Sequence, residues 1–232
     1  MSLLYRTILR PAVFLQDSEK AHNRLISTLA RTSRSRLLTS LLGNLYSSPE
    51  LPINLFGLDF PNPLGIAAGM DKNGAAVPSW QSIGYGFSEI GGVTLHNQLG
   101  NPKPRMFRAT AERALVNRMG FNNIGANAVN DKLKDWKDRG LWPDSPVGIN
   151  LGKSKITKLN DAPKDYSGSL KILWKHADFF VINVSSPNTL GLRDLQQSEH
   201  LESILNQCQK TNNACSKKEG KDSKSLLVKI AP

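Results

Sequence analysis

Hydroxyl and amide side chains follow one strongly apolar segment of the sequence. Residues 179–189 read FFVINVSSPNT, in which a β-branched and aromatic run passes into two serines, a proline, an asparagine and a threonine. Such a run, bounded by turn formers, predicts a strand buried on both faces, as in a parallel sheet. The polar residues would then lie at the carboxyl end of the strand, which is the edge where parallel α/β folds hold their ligands.

Four other segments share this organisation of a short apolar run with a polar or glycine-rich ending. They are NPLGIAAGMDKNG (62–74), GFSEIGGVT (86–94), PVGINLGKS (146–154) and SLLVKIAP (225–232). Apolar residues between the runs recur at helical spacing. These helical faces are Val129, Leu133 and Trp136; Tyr166, Leu170 and Leu173; and Leu201, Ile204, Leu205 and Cys208. Strands that alternate with helices predict a parallel sheet of βαβ units.

The endings of the runs favour one α/β architecture over another. The first run ends AAGMDKNG, which lacks the GxGxxG pattern of a Rossmann fold. Polar groups follow several different strands instead, as is typical of the (β/α)8 TIM barrel. They are Lys72, Gly92, Asn150, Asn183 with Ser186, and Lys229. We therefore predict an α/β fold, a (β/α)8 barrel of which about five βα units are present. A complete barrel needs three more units, so we expect a chain truncated at its carboxyl terminus, with an aggregation-prone edge.

Composition limits the class of protein without selecting a function. The 232 residues are 39% hydrophobic, which suits one sizeable core. A net charge of +11 would suit nucleic acid, an anionic membrane surface or an acidic small substrate. The two cysteines, Cys208 and Cys215, and the four scattered histidines fit no metal or redox motif, so no metal site is predicted.

The first 46 residues are basic and amphipathic. They carry seven Lys or Arg side chains against two acidic ones, and leucines such as Leu25 and Leu29 recur at helical spacing. This pattern predicts helices that lie on a membrane surface, although a solvated helical cap packed on the domain explains it equally well. No apolar run is long enough to span a bilayer, and no secretory cleavage pattern follows. The start of the chain contains Arg and Ser and is poor in acidic residues, a composition that a transit peptide shares. We assign residues 1–48 to a helical segment and 49–232 to the barrel domain.

Two connections are unusually long. Residues 95–123 exceed an ordinary βα loop, so we expect a lid or binding loop at the catalytic face. Residues 209–224, QKTNNACSKKEGKDSK, are polar and lysine-rich, and we predict a solvated loop on the opposite face without a function.

Seven motifs together resemble dihydroorotate dehydrogenase of the membrane-associated, quinone-reducing class 2. They are, in order, NPLGIAAGMDKNG, EIGGVT, GNPKPRMFR, NRMGFNN, GINLGKS, INVSSPNTLGLR and LVKIAP. The resemblance covers almost everything from about residue 50 onward, and the leading segment resembles the helical extension that forms the mouth of the quinone tunnel. Class 1 enzymes carry a cysteine in place of Ser186, and neither cysteine here is near that position.

The resemblance implies oxidation of (S)-dihydroorotate to orotate in pyrimidine (UMP) biosynthesis, with FMN as hydride acceptor and a membrane quinone as final acceptor. Ser186 would be the catalytic base that removes the C5 proton, which requires a proton relay and a water-poor site. Lys72 and Asn117 would bind the substrate carboxylate, because fixed cation and amide donors orient an acid. The other substrate-binding residues implied are Arg118, Met119, Gly120, Phe121, Asn183, Asn188 and Thr189, with Thr189 on the proton path.

The resemblance also implies a flavin site. Gly69 and Ala68 would allow a close approach of the flavin to the backbone, and Lys229 would stabilise negative charge near N1 and O2 of the ring. The implied FMN-binding residues are Ala68, Gly69, Met70, Asp71, Lys72, Gly92, Asn150, Asn183 and Lys229. Gly92 departs from the family, which has Thr or Ser there, so a hydroxyl contact is lost. The family's phosphate site and a further substrate-binding Asn lie beyond the region matched here.

Alternatives remain at this level. Taken singly, a strand-end lysine fits a solvated charge, Asn150 a helix cap and Gly69 a turn. The chain could be an inactive fragment of this enzyme, another FMN barrel acting on a pyrimidine, or a basic module that binds anionic lipid or nucleic acid. We expect a membrane-associated monomer that binds no nucleic acid and contacts anionic lipid through its leading helices. The bacterial inner membrane is favoured, with the mitochondrial inner membrane as the alternative.

Overall fold

The computed structural model describes residues 3–46, 51–189 and 191–231. The predicted domain boundary between residues 48 and 49 lies outside these ranges. The strands are Ile53–Leu55 (β1), Leu58–Phe60 (β2), Gly65–Ile66 (β3), Phe87–Val93 (β4), Met106–Ala109 (β5), Ala114–Asn117 (β6), Val147–Leu151 (β7), Phe179–Asn183 (β8) and Ser225–Lys229 (β9). The α-helices are Arg10–Phe14 (α1), Ser18–Thr32 (α2), Arg36–Leu45 (α3), Val77–Ser82 (α4), Ala126–Asp138 (α5), Ala162–Leu173 (α6) and Ser198–Glu219 (α7). A π-helical turn, Tyr5–Leu9, precedes α1.

Five strands form the central sheet, in the order β3-β4-β7-β8-β9. All four pairings are parallel, and the order in space is the order along the chain. Helices cross between successive strands, which is the arrangement of five consecutive units of a (β/α)8 barrel. The predicted α/β fold class is confirmed, and each of the five predicted runs contains one strand of this sheet.

The core lies between the sheet and the helices α5, α6 and α7. Every residue of β7 and β8 is buried, as the uninterrupted apolar runs predict for a parallel sheet covered on both faces. The predicted helical faces supply the other side of the core, including the fully buried Leu133, Tyr166 and Leu170. Hydrophobic periodicity therefore located both layers correctly.

The prediction for residues 209–224 is wrong in its first two thirds. Helix α7 continues to Glu219, and only the following residues form a connection to β9. The physical reason is Asn212, which is fully buried beneath the lysine-rich surface. Its Oδ1 accepts hydrogen bonds from Trp174 Nε1 at 2.8 Å and from the Lys224 backbone at 3.1 Å. One buried amide thus fixes a helix whose composition resembles a loop.

Two antiparallel hairpins were not predicted. β1 and β2 are joined by Phe56 and Gly57, which both have positive φ, as a tight two-residue hairpin requires. Phe60 of this hairpin packs against Phe87 and Phe179 at the starts of β4 and β8, so the hairpin covers the amino ends of the strands. β5 and β6 form the second hairpin, within the long connection 95–123.

The leading helices contact the barrel through a few specific interactions. α2 packs against α4 and β5, with Leu29 next to Ile66 and Trp80. Glu19 of α2 forms a buried ion pair with Arg105, whose Nη2 lies 2.8 Å from Glu19 Oε1. Among the residues that the structure describes, no helix combines the length and apolar character needed to cross a bilayer.

Candidate active site

A cavity of about 960 Å³ opens at the carboxyl ends of the parallel strands. Its volume is at the upper end of the range of small-molecule and cofactor sites. The walls come from the loops after β3 and β8, from the ends of β4 and β9, from the β5–β6 hairpin and the residues that follow it, and from α2. The predicted site residues that line it are Ala68, Gly69, Met70, Lys72, Gly92, Asn117, Met119, Gly120, Phe121, Asn183, Ser186, Asn188 and Lys229.

Strand register explains why residues far apart in sequence meet here. Asn183 pairs directly with Lys229 across β8 and β9, so both side chains leave the same face of the sheet. Asn150 lies behind Asn183 and accepts its amide hydrogen bond at 3.0 Å. Asn150 donates in turn to Glu89 Oε1 at 2.6 Å. This chain of hydrogen bonds fixes the orientation of the Asn183 side chain at the base of the cavity.

The loop that carries Ser186 is held at both ends. At its start, the Ser185 hydroxyl and backbone N–H donate to Asn183 Oδ1. Further along, the Asn188 backbone N–H donates to Ser186 Oγ at 3.3 Å. The connection between β4 and β5 holds the loop from the side, since Asn101 Nδ2 donates to the Asn188 carbonyl at 3.3 Å. Ser186 therefore presents its hydroxyl from a defined turn, with lone-pair capacity left for a ligand proton.

The cavity is electropositive. Its ionisable lining residues among those described are His22, Lys72, Arg108 and Lys229 with the phenol Tyr5, and no carboxylate lines it. Burial lowers the pKa of Lys72, and the Arg105 guanidinium lowers it further. Burial also lowers the pKa of His22, and Lys72 adds to that effect. Lys72 forms no hydrogen bond or salt bridge with a described residue, so an anionic ligand would supply the missing partner.

Glycines form a flat cradle on one side of the cavity. Gly69 has φ +102, a conformation that favours glycine, and its N–H donates to the Gly91 carbonyl at 2.7 Å. A Cβ on Gly92 would lie 2.6 Å from the Phe121 ring and 3.2 Å from Asn150 Oδ1. A backbone without side chains, beside two lysines that form no salt bridge, fits a planar ring such as a flavin, because the lysines would stabilise the negative charge of its reduced form.

Four predicted site residues do not line the cavity. The Arg118 guanidinium turns away and donates to the Pro104 carbonyl. The Asp71 carboxylate is buried, where it accepts hydrogen bonds from the Ala75 and Ala76 backbone and from an indole. Asn150 does not reach the cavity and instead accepts a hydrogen bond from the Asn183 side chain. Thr189 is buried below the loop surface. Their roles in ligand binding stay predictions.

Other lining residues were not singled out from the sequence. Ser18, His22 and Leu25 of α2 form one wall, and Met106 and Arg108 of β5 form the adjoining one. Helical spacing identified α2 as amphipathic, but spacing alone does not tell which neighbour a helix face meets. Arg108, the second arginine of the motif GNPKPRMFR, was the sequence feature that could have indicated the β5 wall.

Comparisons with known proteins agree with this architecture. The family model of dihydroorotate dehydrogenase matches residues 50–232. A protein of Gloeobacter violaceus named dihydroorotate dehydrogenase (quinone) is 48% identical over 99% of this chain and 61% of its own length. A protein of the same name from Chloroflexus aurantiacus is 45% identical over the whole chain and 64% of its own length.

A solved structure has the same arrangement. The crystal structure of DHODH from Eimeria tenella in complex with ferulenol superposes with a TM-score of 0.80 at 37% identity, covering 93% of this chain and 60% of that one. The present chain thus spans about 60% of the length of the relatives it matches.

Proposed function

The chain belongs to the dihydroorotate dehydrogenase family, and we propose that its carboxyl-end cavity binds (S)-dihydroorotate beside FMN and oxidises it to orotate in pyrimidine (UMP) biosynthesis. The final electron acceptor in this proposal is a membrane quinone, as the names of the quinone-dependent relatives suggest. The observation that carries the proposal is the meeting of Ser186, Lys72, Asn117, Asn183 and Asn188 in one electropositive cavity.

The substrate carboxylate is placed by charge. Lys72 forms no salt bridge with a described residue. Burial lowers its pKa, Arg105 lowers it further and Glu19 opposes this, so a bound carboxylate would offset the cost of burial. Asn117 lines the same cavity from the end of β6 and adds an amide donor. A cation and an amide that are fixed before binding orient an acid as well as attract it.

The pyrimidine ring is placed by amides. Asn183 is oriented by Asn150 and Ser185, and Asn188 is held next to Asn117 by its side-chain amide. Each side chain offers both a donor and an acceptor, which matches the alternating N–H and C=O groups of the ring edge. These contacts would hold C5 of the ring toward the Ser186 loop.

Ser186 is the proposed base for the C5 proton. A serine accepts a proton only if its own proton is passed on, so Thr189 or cavity water would complete the relay. The Asn188 N–H that donates to Ser186 Oγ stabilises negative charge on this oxygen as the proton leaves. When bound, FMN supplies the hydride acceptor for C6. Ala68, Gly69, Met70 and Gly92 would face it through their backbone, with Lys72 and Lys229 nearby.

The leading helices are the proposed contact with the membrane and the quinone. α2 forms a cavity wall, so a hydrophobic acceptor could reach the site between α2 and the β5–β6 hairpin. α3 exposes leucines, and Arg34 and Arg36 lie at its amino-terminal end, as expected for a helix on an anionic lipid surface. We propose that the protein is a monomer on the bacterial inner membrane, with the mitochondrial inner membrane as the alternative.

An absorbance experiment tests this proposal. The purified chain is mixed with FMN, freed of excess flavin and treated anaerobically with dihydroorotate. Bound flavin bands are expected to bleach, and Ser186→Ala should retain the bands while slowing bleaching by about 10²- to 10⁴-fold. Ser203→Ala, on the exposed surface of α7, is the matched control and should bleach like the wild type. Absence of bound flavin, or equal bleaching rates in all three proteins, would contradict the proposal.

A further inference from the structure

A second cavity, of about 280 Å³, lies at the opposite end of the sheet. The last turn of α5, the short helical turn Trp174–His176 and the end of α7 surround it. Each of these segments precedes the start of a parallel strand, so the cavity lies at the amino ends of the strands. Its lining residues are Lys134, Lys137, Asp138, Trp174, Lys175, His176, Glu219, Lys221 and Lys224.

Positive charge in this cavity exceeds negative charge. It has five lysines and two carboxylates. Lys134 pairs with Asp138, and Lys175 pairs with Glu219 at 3.2 Å. The other three lysines, at positions 137, 221 and 224, form no salt bridge with a described carboxylate. Burial lowers the pKa of Lys137, and the nearby Asp178 carboxylate opposes that effect. Three ammonium groups without salt bridges around one concave surface attract an anion more strongly than scattered lysines do.

Two of these lysines are held in place by aromatic rings. Lys137 Nζ lies 4.4 Å from the centre of the Trp142 ring, and Lys224 Nζ lies 5.0 Å from the centre of the Trp174 ring. Lys137 also donates to the Lys175 carbonyl. These contacts restrict flexible side chains, so less entropy is lost when an anion binds.

His176 provides an independent sign of a missing ligand. Its side chain is 7% exposed and lines the cavity. Nε2 lies 3.1 Å from Asn130 Oδ1, to which it donates in the tautomer with a proton on Nε2. In that tautomer Nδ1 is an acceptor, so it bonds a phosphate oxygen only through a P–OH proton or after the ring itself has gained a proton. Nδ1 is one of two buried side-chain polar atoms in the described residues without a hydrogen-bond partner. Buried polar atoms are normally paired, so an unpaired one beside a cavity indicates a partner that the chain itself does not supply.

We propose that this amino-end cavity binds the phosphate group of a small phosphorylated metabolite, with Lys137, Lys221, Lys224 and His176 as its contacts. The volume of 280 Å³ accommodates a phosphate with a small attached group, and it is just below the usual range of ligand pockets. Lysine ammonium groups bind phosphate as point charges that do not require a planar partner. Since the catalytic cavity is at the other end of the strands, the two sites can be filled together.

Intrinsic tryptophan fluorescence of the full chain measures this binding, because Trp174 lines the cavity and Trp142 lies beside it. Inorganic phosphate and ribose 5-phosphate are the probes, and tighter binding of the second would identify a phosphomonoester ligand. Tighter or equal binding of inorganic phosphate would restrict the site to the free ion and overturn the metabolite part of the proposal. Saturable binding of both is expected in the wild type.

A charge-reversal pair tests the location. Lys221→Glu is expected to weaken binding of the tighter probe by about fivefold to tenfold, because it replaces an attractive charge at the cavity with a repulsive one. The fold should be unaffected, since Lys221 is exposed and forms no ion pair with a described residue. Lys217→Glu is the matched control, since this exposed lysine of α7 carries the same charge but does not line the cavity. Its affinity should stay within about twofold of the wild type, as expected for a screened, more distant charge.

A pH series tests the part assigned to His176. Burial lowers its pKa to about 4, and Lys137, Lys175 and Lys134 lower it while Asp138 raises it. A bound anion would raise this pKa, so affinity should increase as the pH falls from 7 toward about 4. Sulfate is the probe, because its charge is constant in this range. Asp138 and Glu219 are acidic groups that also line the cavity, so His176→Gln should reduce the pH dependence without removing all of it.

Three results would overturn the proposal. The first is no saturable binding of phosphate, ribose 5-phosphate or sulfate. The second is equal weakening by Lys221→Glu and Lys217→Glu, which would indicate diffuse attraction to a basic surface. The third is binding of a polyanion such as heparin or duplex DNA without binding of the small anions. An unchanged pH dependence in His176→Gln would remove His176 from the site.

Discussion

The barrel units and the leading helices use the same amino acids in opposite ways. Leu170 of α6 is fully buried in the core, with the sheet opposite it. In α3, Leu38, Leu41 and Leu45 are 46%, 50% and 76% exposed. Both helices have leucines at helical spacing, so the sequence pattern is similar. The difference lies in what stands opposite each apolar face.

This comparison separates residues that stabilise the fold from residues that are available to attach the protein to a membrane. Apolar residues of α6 lose their contact with water on folding, so they stabilise the domain. Exposed leucines of α3 make no such contribution within the chain, although α3 packs against α4 along another face. An apolar face next to arginines is then available for a lipid surface, as proposed above. α2 is intermediate, since its buried Glu19 ties it to the barrel.

The largest effect is expected in the core. Leu170→Ala should lower the free energy of unfolding by about 2–5 kcal/mol, because it leaves a cavity in a close-packed layer. The matched change in the leading helices, Leu41→Ala, should alter it by no more than about 0.5 kcal/mol. Urea denaturation followed by circular dichroism measures both. Equal losses in the two variants would show that α3 belongs to the same packed core.

A smaller effect is expected where the two regions meet. Glu19→Gln leaves the buried Arg105 guanidinium with a neutral acceptor, so stability should fall by about 1–3 kcal/mol. Asp135→Asn breaks an exposed ion pair with Arg139 and is the control, with an expected change of less than about 1 kcal/mol. A Glu19→Gln variant as stable as the control would mean that this ion pair does not hold α2 on the barrel.

The same ion pair predicts a pH dependence. Hydrogen bonding from Arg105 holds the pKa of Glu19 below its ordinary value of 4.5. A carboxylate whose pKa is lowered by folding stabilises the folded state. This stabilisation is complete at pH values above the pKa in the unfolded chain, and it is lost as the pH falls through the pKa in the folded protein. The stability difference between wild type and Glu19→Gln should therefore be constant near neutral pH and shrink below about pH 4.5. Denaturation curves at several pH values check it, and a difference that grows in acid would refute it.

The smallest effect is expected in vesicle binding. Leu41→Ser removes one exposed leucine from α3, and its affinity for anionic vesicles should fall by about tenfold, with unchanged stability. Leu99→Ser, at a leucine that is 90% exposed outside the leading helices, is the control and should bind like the wild type. Co-sedimentation with vesicles measures both. An equal loss in the two variants would argue against α3 as the membrane contact.

Local patterns predicted most of the barrel and little of its surroundings. The helical faces of α5 and α6 were correct because a buried helix needs apolar residues every three or four positions. Helix α7 was placed too short, since its stability depends on Asn212 bonding to Trp174, a contact that periodicity does not contain. The β5–β6 hairpin was missed because its strands are largely exposed and do not alternate clearly.

The candidate site was predicted in the same uneven way. Lys72, Asn183, Ser186 and Lys229 line the cavity because parallel strands all end at the same edge. Asp71 and Arg118 were chosen from the same motifs, yet their side chains bond within the protein. His22 was not chosen, since no local pattern shows that α2 lies across the cavity. Motif position gives the neighbourhood of a residue but not the direction of its side chain.

The sequence by itself determined the order of the five parallel strands, the polar edge of the sheet and the family, because these depend on residue type and spacing along the chain. Only the tertiary structure decided which wall closes the cavity, which amide orients Asn183 and which lysines lie around the amino-end cavity. Those features depend on contacts between residues far apart in sequence, such as Asn150 with Asn183 and Lys224 with Trp174. Such contacts are fixed by packing of whole elements, which no local pattern records.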